Sequence, residues 1–195
     1  MHTEYREKES GRWDGNTKSC AILGHSPMRF AWEFDEEADE CREMKLELAQ
    51  QIMVLRQQGV THFFVVCDCG VGLYAAELIN VLRDNDPELM LFCITPYEEQ
   101  ATKWTPVLRE RYFDMLVKCT HMTAVYTHKQ PGAQLEAYRT IIRQSDMVLA
   151  VYDPASARGD DTDAAIQYAR ELKRPILSIH PDTLRTSCLT EFEFM

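Results

Sequence analysis

Strand-like and helix-like segments alternate along this chain almost without exception, and that alternation constrains the fold more than any single motif. Short apolar runs stand at Cys20-Ala21-Ile22-Leu23, at Thr61 to Val66, and at Leu89 to Thr95. Others stand at Met122 to His128, Asp146 to Tyr152 and Pro175 to Ile179, with helical patterns between them. Runs that are apolar without strict alternation read as strands buried on both faces, and joining such strands through helices makes a parallel sheet with right-handed crossovers. The expected fold class is α/β: a Rossmann-like, doubly wound, mostly parallel sheet of about six strands with helices on both faces.

The centre of this pattern is THFFVVCDCGVGLYAAELINVL, Thr61 to Leu82. It reads as a strand, a glycine turn over Cys69-Gly70-Val71-Gly72, and a helix carrying Ala75, Ala76, Leu78 and Ile79. Such a turn lets the backbone approach a ligand and leaves helix N–H groups free for an anion such as phosphate. Equally, Gly70 and Gly72 serve a tight connection and nothing more. A conventional dinucleotide fingerprint is not complete, because the third glycine is missing and the next strand ends in Thr95-Pro96 rather than an acid.

The other elements follow from local signals. Residues 1–18 are polar and glycine-punctuated, and read as a mobile leader before a single domain over 19–181. An acidic run from Glu33 leads into a helix with Cys41, Met44, Leu48, Ile52 and Leu55 at threes and fours, ended by Gly59. Pro96 is expected to stop the third strand, and Thr105-Pro106 to open a helix. A last helix is expected from about Asp163 to Lys173. Residues 182–195 read as a polar tail whose closing EFEFM has no assignment.

Composition bounds the function. The 195 residues hold 21 basic and 31 acidic side chains, a net charge of −10, which argues against nucleic acid as a partner because a sequence-independent grip needs a basic face. No run approaches a membrane span and the N-terminus lacks a signal-peptide centre, so the expectation is a cytoplasmic protein with no membrane partner. Seven cysteines, mostly inside apolar patterns, read as reduced core residues. Cys67-Asp68-Cys69 has no second pair at zinc-like spacing, so no metal is expected, and the sequence names no cofactor.

In doubly wound sheets ligands sit beyond the carboxyl ends of the strands. Four loops belong there: Gly24 to Pro27, Cys69 to Gly72, Thr95 to Tyr97, and Asp153 to Thr162. His25 could hydrogen-bond a ligand and transfer a proton, or simply bond to backbone. Tyr97 and Trp104 could stack on a base, or cover the sheet edge.

GHSP after the first strand, GVTHFF leading into CGVGLYAAE, ITPYEEQATKW, and SDMVLAVYD with a later DT and IQYARE resemble together the YpsA-like family of the SLOG (SMF/DprA and LOG) superfamily. The resemblance covers about Cys20 to Pro181 and implies a Rossmann-like protein that binds a nucleotide or nucleotide derivative. Together with the strand-end loops, it makes Gly24, His25, Ser26, Cys69, Gly70, Val71, Gly72, Glu77, Thr95, Pro96, Asp153 and Thr162 the candidate ligand contacts. Several polar positions depart from the family's pattern. Ser26 stands where an arginine is usual, Gly72 where an aspartate is usual, and Asp160-Asp161 where glycines precede the threonine.

Those aspartates bear on phosphate. A helix N-terminus favours an anion by about 0.3 to 1 kcal/mol, whereas a carboxylate some 4 Å away opposes it by about 4 kcal/mol at an effective dielectric near 20. Asp160 and Asp161 either cap the last helix from outside, or defeat a phosphate there, or hold ribose hydroxyls or a cationic group. LOG-type relatives cleave an N-glycosidic bond and carry PGGxGTxxE. With Thr162 on that threonine, Ala165 replaces the glutamate and the clearest catalytic carboxylate is lost; Glu77, one turn into the helix after Gly72, either substitutes for it or is a solvated helix-surface residue. Three functions stay open: nucleotide-like ligand binding or sensing, an N-glycosidic hydrolase or transferase, and an interaction or scaffold protein with an unused crevice.

Overall fold

The computed structural model describes residues 18–189. Twelve regular elements alternate in the chain. They are β1 (Lys18–Gly24), α1 (Asp39–Gln57), β2 (Val60–Val66), α2 (Val71–Arg83), β3 (Met90–Tyr97) and α3 (Pro106–Lys118), then β4 (His121–Tyr126), α4 (Ala133–Arg143), β5 (Met147–Val151), α5 (Asp161–Glu171), β6 (Ile176–Ile179) and β7 (Thr186–Cys188). One sheet runs β4-β3-β2-β1-β5-β6-β7, parallel throughout except for the β6–β7 pair. The expected doubly wound α/β fold is the one observed.

Adjacent phenylalanines show why both faces need cover. Phe63 packs with Met44, Leu48, Ile52, Leu73, Ile79 and Met115 from α1, α2 and α3. Phe64 points the other way, onto Ile141 and Ile142 of α4 and Ala165 and Ile166 of α5. Alternate residues of a strand face opposite sides of a sheet, so an unbroken apolar strand demands two helical layers.

β4 ends at Tyr126 rather than His128, and three further differences from expectation have a physical reason. β3 continues through Pro96 to Tyr97 instead of stopping. Its last pair with β2 is Ile94 with Val66, so the missing N–H of Pro96 faces a side where the ladder has already ended, while Tyr97 still pairs with Tyr126 of β4. α5 begins at Asp161 rather than Asp163, because Asp160 is its cap. A seventh strand lies in the polar segment after 182: Thr186, Ser187 and Cys188 pair antiparallel with Ile179, Ser178 and Leu177 at the sheet edge. Three exposed residues carry no apolar signature by which a strand could be read.

All seven cysteines are free thiols. Among the described residues no helix is long and apolar enough to cross a membrane. The expected leader falls outside the described residues except for Lys18, and so does the closing EFEFM.

Candidate functional site

β1 lies between β2 and β5, and the chain leaves it in opposite directions: outward through β2, β3 and β4 on one side, through β5, β6 and β7 on the other. That reversal opens a crevice beyond the carboxyl ends of β1, β2 and β5. Its walls are close together. A β-carbon on Gly24 would stand 2.5 Å from Val71 Cγ2 and 3.0 Å from the Val151 carbonyl oxygen. Gly70, at φ 100, lies against the Pro27 ring, and a β-carbon on Gly72 would overlap the Val66 carbonyl oxygen. These glycines bring backbone close against protein, as a tight strand-to-helix connection requires.

At the α5 end the anion position is already filled from within. Asp160 caps the helix by accepting from Asp163 N–H, and Asp163 returns a bond to the Asp160 N–H, a reciprocal capping box. Asp163 Oδ2 also accepts from the N–H groups of Arg158 and Gly159, both at 2.6 Å, and its Oδ1 accepts from the Tyr152 hydroxyl at 2.9 Å. Burial would raise this carboxyl, but those donors outweigh it and hold Asp163 below the usual carboxylate range. Arg29 closes the group. Its guanidinium, only 7% exposed, bonds Asp160 Oδ2 at 2.5 Å and the Ser156 carbonyl and hydroxyl. Asp160 is thus a cap and an ion-pair partner, while Asp161 is exposed.

At the α2 end the arrangement is looser. No side chain of the N-cap residue, Gly70, serves this helix. Asp68, at the end of β2, lies with Oδ1 over the first turn beside Gly72. Its Oδ2 accepts from Gln134 Nε2 at 2.6 Å and from the Tyr138 hydroxyl at 2.7 Å, both on α4. Burial raises the Asp68 carboxyl to about 6, and the Tyr138, Gln134 and backbone donors offset only part of that.

The remaining expected site residues take mostly structural places. His25 is buried at 2% exposure, accepts the Asp153 N–H on Nε2 at 3.0 Å, and packs against Tyr152. Burial and then the Arg29 charge lower its pKa to about 4, which favours the neutral imidazole near neutral pH. Its Nδ1 is buried without a partner. Thr162 donates to the Gly24 carbonyl at 3.0 Å, tying α5 to β1. Asp153 caps a short turn through the Ala155 N–H. Thr95 and Pro96 are buried at the end of β3, Val71 is buried under Gly24, and Ser26 is exposed with no capping bond. Cys69 is half-buried, and burial, then the Asp68 charge, push its thiol up. Trp104 packs edge to face on Tyr112, centroids 5.3 Å apart, as a structural aromatic.

Glu77 faces α3, against expectation. Both its carboxylate oxygens are held by Arg111, at 2.7 and 2.8 Å, and the same guanidinium holds Glu36. Lys45 adds a second cation to Glu36 at 2.5 Å. Ala165, at the position of the LOG-type glutamate, is fully buried in the α4–α5 core. Among the described residues no group of three or more His, Cys, Asp or Glu is placed to hold a metal ion.

Sequence reading missed Asp68, Asp163, Arg29, Gln134, Tyr138 and Arg111. Two had a signal. Asp160 and Asp163 stand at capping-box spacing, and Asp68 directly follows the strand that carries the crevice. Arg29 supplies a guanidinium three residues after Ser26, at a spacing no strand or helix period would select.

Residues 20–184 match the model of the YpsA family, described as the YspA SLOG family. A UPF0398 protein of Bacillus pumilus is 26% identical over 185 residues, covering 91% of this chain and 95% of that protein. A UPF0398 protein of Halalkalibacterium halodurans is 31% identical over 112 residues, which span 56% of this chain and 59% of that protein. Among solved structures, DNA processing protein A from Helicobacter pylori, described for its single-stranded DNA binding mode, is similar with a TM-score of 0.56. The likeness covers 87% of this chain and 68% of that one at 13% identity, and is a likeness of fold.

Proposed function

The chain belongs to the YpsA family of SLOG proteins, and from that membership we propose that its crevice binds a nucleotide-like small molecule through sugar and base rather than through a phosphate at α5. The observation that carries this reading is the Asp163 carboxylate lodged in the N–H groups of Arg158, Gly159 and Asp160. A phosphate arriving there would gain at most about 2 kcal/mol from the helix end and meet a repulsion of about 4 kcal/mol from that carboxylate. Arg29 is engaged by Asp160, and Arg111 and Lys45 by Glu36. Gly24, Cys69, Gly70, Val71, Gly72, Thr95 and Asp153 line or shape the crevice. The reading is one of binding, with no catalytic step assigned.

A single-stranded DNA binder shares this fold, so the fold itself does not exclude nucleic acid. The case for a small molecule rests on this chain's own net charge of −10. Native mass spectrometry of freshly purified protein tests it by revealing a copurifying molecule. Thermal unfolding with ribonucleosides, mononucleotides, dinucleotides, ADP-ribose and a single-stranded oligodeoxynucleotide completes the test. A ligand at 100 times its Kd adds about 2.7 kcal/mol. Stabilisation by a ribonucleoside or its derivative is expected. A flat response to the whole panel, or a response to the oligonucleotide alone, would refute the reading.

A further inference from the structure

We propose that Asp68, braced by Gln134 and Tyr138, is the hydroxyl acceptor of the crevice and takes the vicinal diol of a ribonucleoside-type ligand, an inference that rests on the small-molecule reading above. Position is the first argument. Asp68 lies two residues beyond β2, on the strand-to-helix loop beside the topological switch point, where doubly wound folds bind their ligands.

Bonding is the second. A carboxylate offers about four acceptor sites, and Asp68 has committed Oδ2 to Gln134 and Tyr138. Oδ1 lies beside Gly72 and no side chain donates to it, the backbone N–H groups of Gly72 and Asp68 being the carboxylate's other donors, and the residue is half-buried by its accessible surface. The two α4 side chains fix the carboxylate plane while leaving that oxygen acceptor capacity.

Charge is the third. The groups that face Asp68 are the Tyr138 hydroxyl and Gln134 amide from α4, the Cys69 thiol on its own loop and the backbone of Gly72. Thr162 of α5 stands behind Tyr138, and Glu36 faces Cys69 from the segment before α1. None is a cation. An uncompensated carboxylate repels anions and gains from neutral O–H donors, whose bonds to a charged acceptor are stronger than neutral ones.

Because burial lifts the Asp68 carboxyl to about 6, the acceptor forms as the pH rises through that value. Hydroxyl binding favours the ionised form. Affinity therefore climbs by up to about tenfold per pH unit below 6 and levels off above it.

Calorimetric titration with the four ribonucleosides and their 2′-deoxy counterparts, at pH 5 and 7.5, tests this without the ionisation near pH 6 that a phosphate brings. We expect a ribonucleoside to bind about tenfold tighter at pH 7.5 than at pH 5, and its 2′-deoxy form about tenfold weaker at pH 7.5. Asp68→Asn should erase both differences. Tyr138→Phe removes a donor that lowers the carboxyl, and should move the pH midpoint upward. Circular dichroism of each variant separates these effects from misfolding. If a folded Asp68→Asn protein keeps the ribose preference and the pH dependence, the inference is overturned while the small-molecule reading stands. If no ribonucleoside binds the wild type at either pH, the reading fails and takes the inference with it.

Discussion

Two helix N-termini meet at the crevice, each with an aspartate of the chain beside it, and the two carboxyls titrate in opposite directions. Asp163 at α5 receives three backbone N–H groups, the Tyr152 hydroxyl and a guanidinium 3.7 Å away, and falls below the usual carboxylate range despite its burial. Asp68 at α2 receives two neutral side chains and no cation, and burial lifts it to about 6. The residue type and the helix dipole are shared. What differs is how far burial disfavours the charge and that a cation, Arg29, stands near Asp163 while none stands near Asp68, and that makes the α5 end a closed plug held in the ionised form more firmly than an ordinary carboxylate, and the α2 end a conditional acceptor.

The largest effect should come from closing the α2 end by force. Gly72→Ala drives a β-carbon into the Val66 carbonyl, and we expect a loss of about 3 kcal/mol or more in urea unfolding. A milder loss would mean that α2 can shift away from β2.

Opening the α5 plug comes next. Asp163→Ala leaves the Arg158, Gly159 and Tyr152 donors without an acceptor and should cost about 2 to 4 kcal/mol. Arg29→Met, which leaves Asp160 facing Asp163 unpaired, should cost about 2 kcal/mol. An unchanged melting temperature in both variants would contradict the plug.

Asp68→Asn should have the opposite sign, stabilising the protein by about 1 to 2 kcal/mol at pH 7.5 by removing a carboxylate with no cation nearby. The acid side sharpens the contrast. The folded carboxyl of Asp68 lies above its unfolded value of 3.8, so its penalty is present above about pH 6 and is relieved as the pH falls toward 3.8. The folded imidazole of His25, near 4, lies below its unfolded 6.5, so stability is lost as the pH falls from 6.5 through 4, about 3 kcal/mol in all. The two terms oppose each other in one window. Wild type should therefore lose little from this pair between pH 7 and 4, and Asp68→Asn should lose visibly more.

Glu77→Gln should do least. Its ion pair with Arg111 is partly solvated, so the change should stay under about 1 kcal/mol and leave ligand affinity untouched.

The fold was legible because unpatterned apolar runs such as Val65-Val66 and Val148 to Val151 can be buried only between two layers. β7 was not, because three exposed residues pair through backbone alone. The crevice could be placed from strand ends, but its chemistry could not. Glu77 stands at a suitable distance into α2, yet Arg111, 34 residues later in the chain, decides which way it faces. The spacing from Asp160 to Asp163 signalled a capping box, while Arg29, which neutralises it, comes from 131 residues away. Local pattern finds the helix end, and only tertiary pairing shows whether that end is open.

The central claim is that the crevice holds its ligand without a phosphate at α5. Its most direct measurement compares the affinity of a stabilising ribonucleoside with that of its 5′-monophosphate on the wild-type protein at pH 7.5. The account predicts that the phosphate adds nothing or weakens binding. A monophosphate that binds tenfold tighter, with a shift of the Gly159 and Asp160 amide resonances, would contradict it.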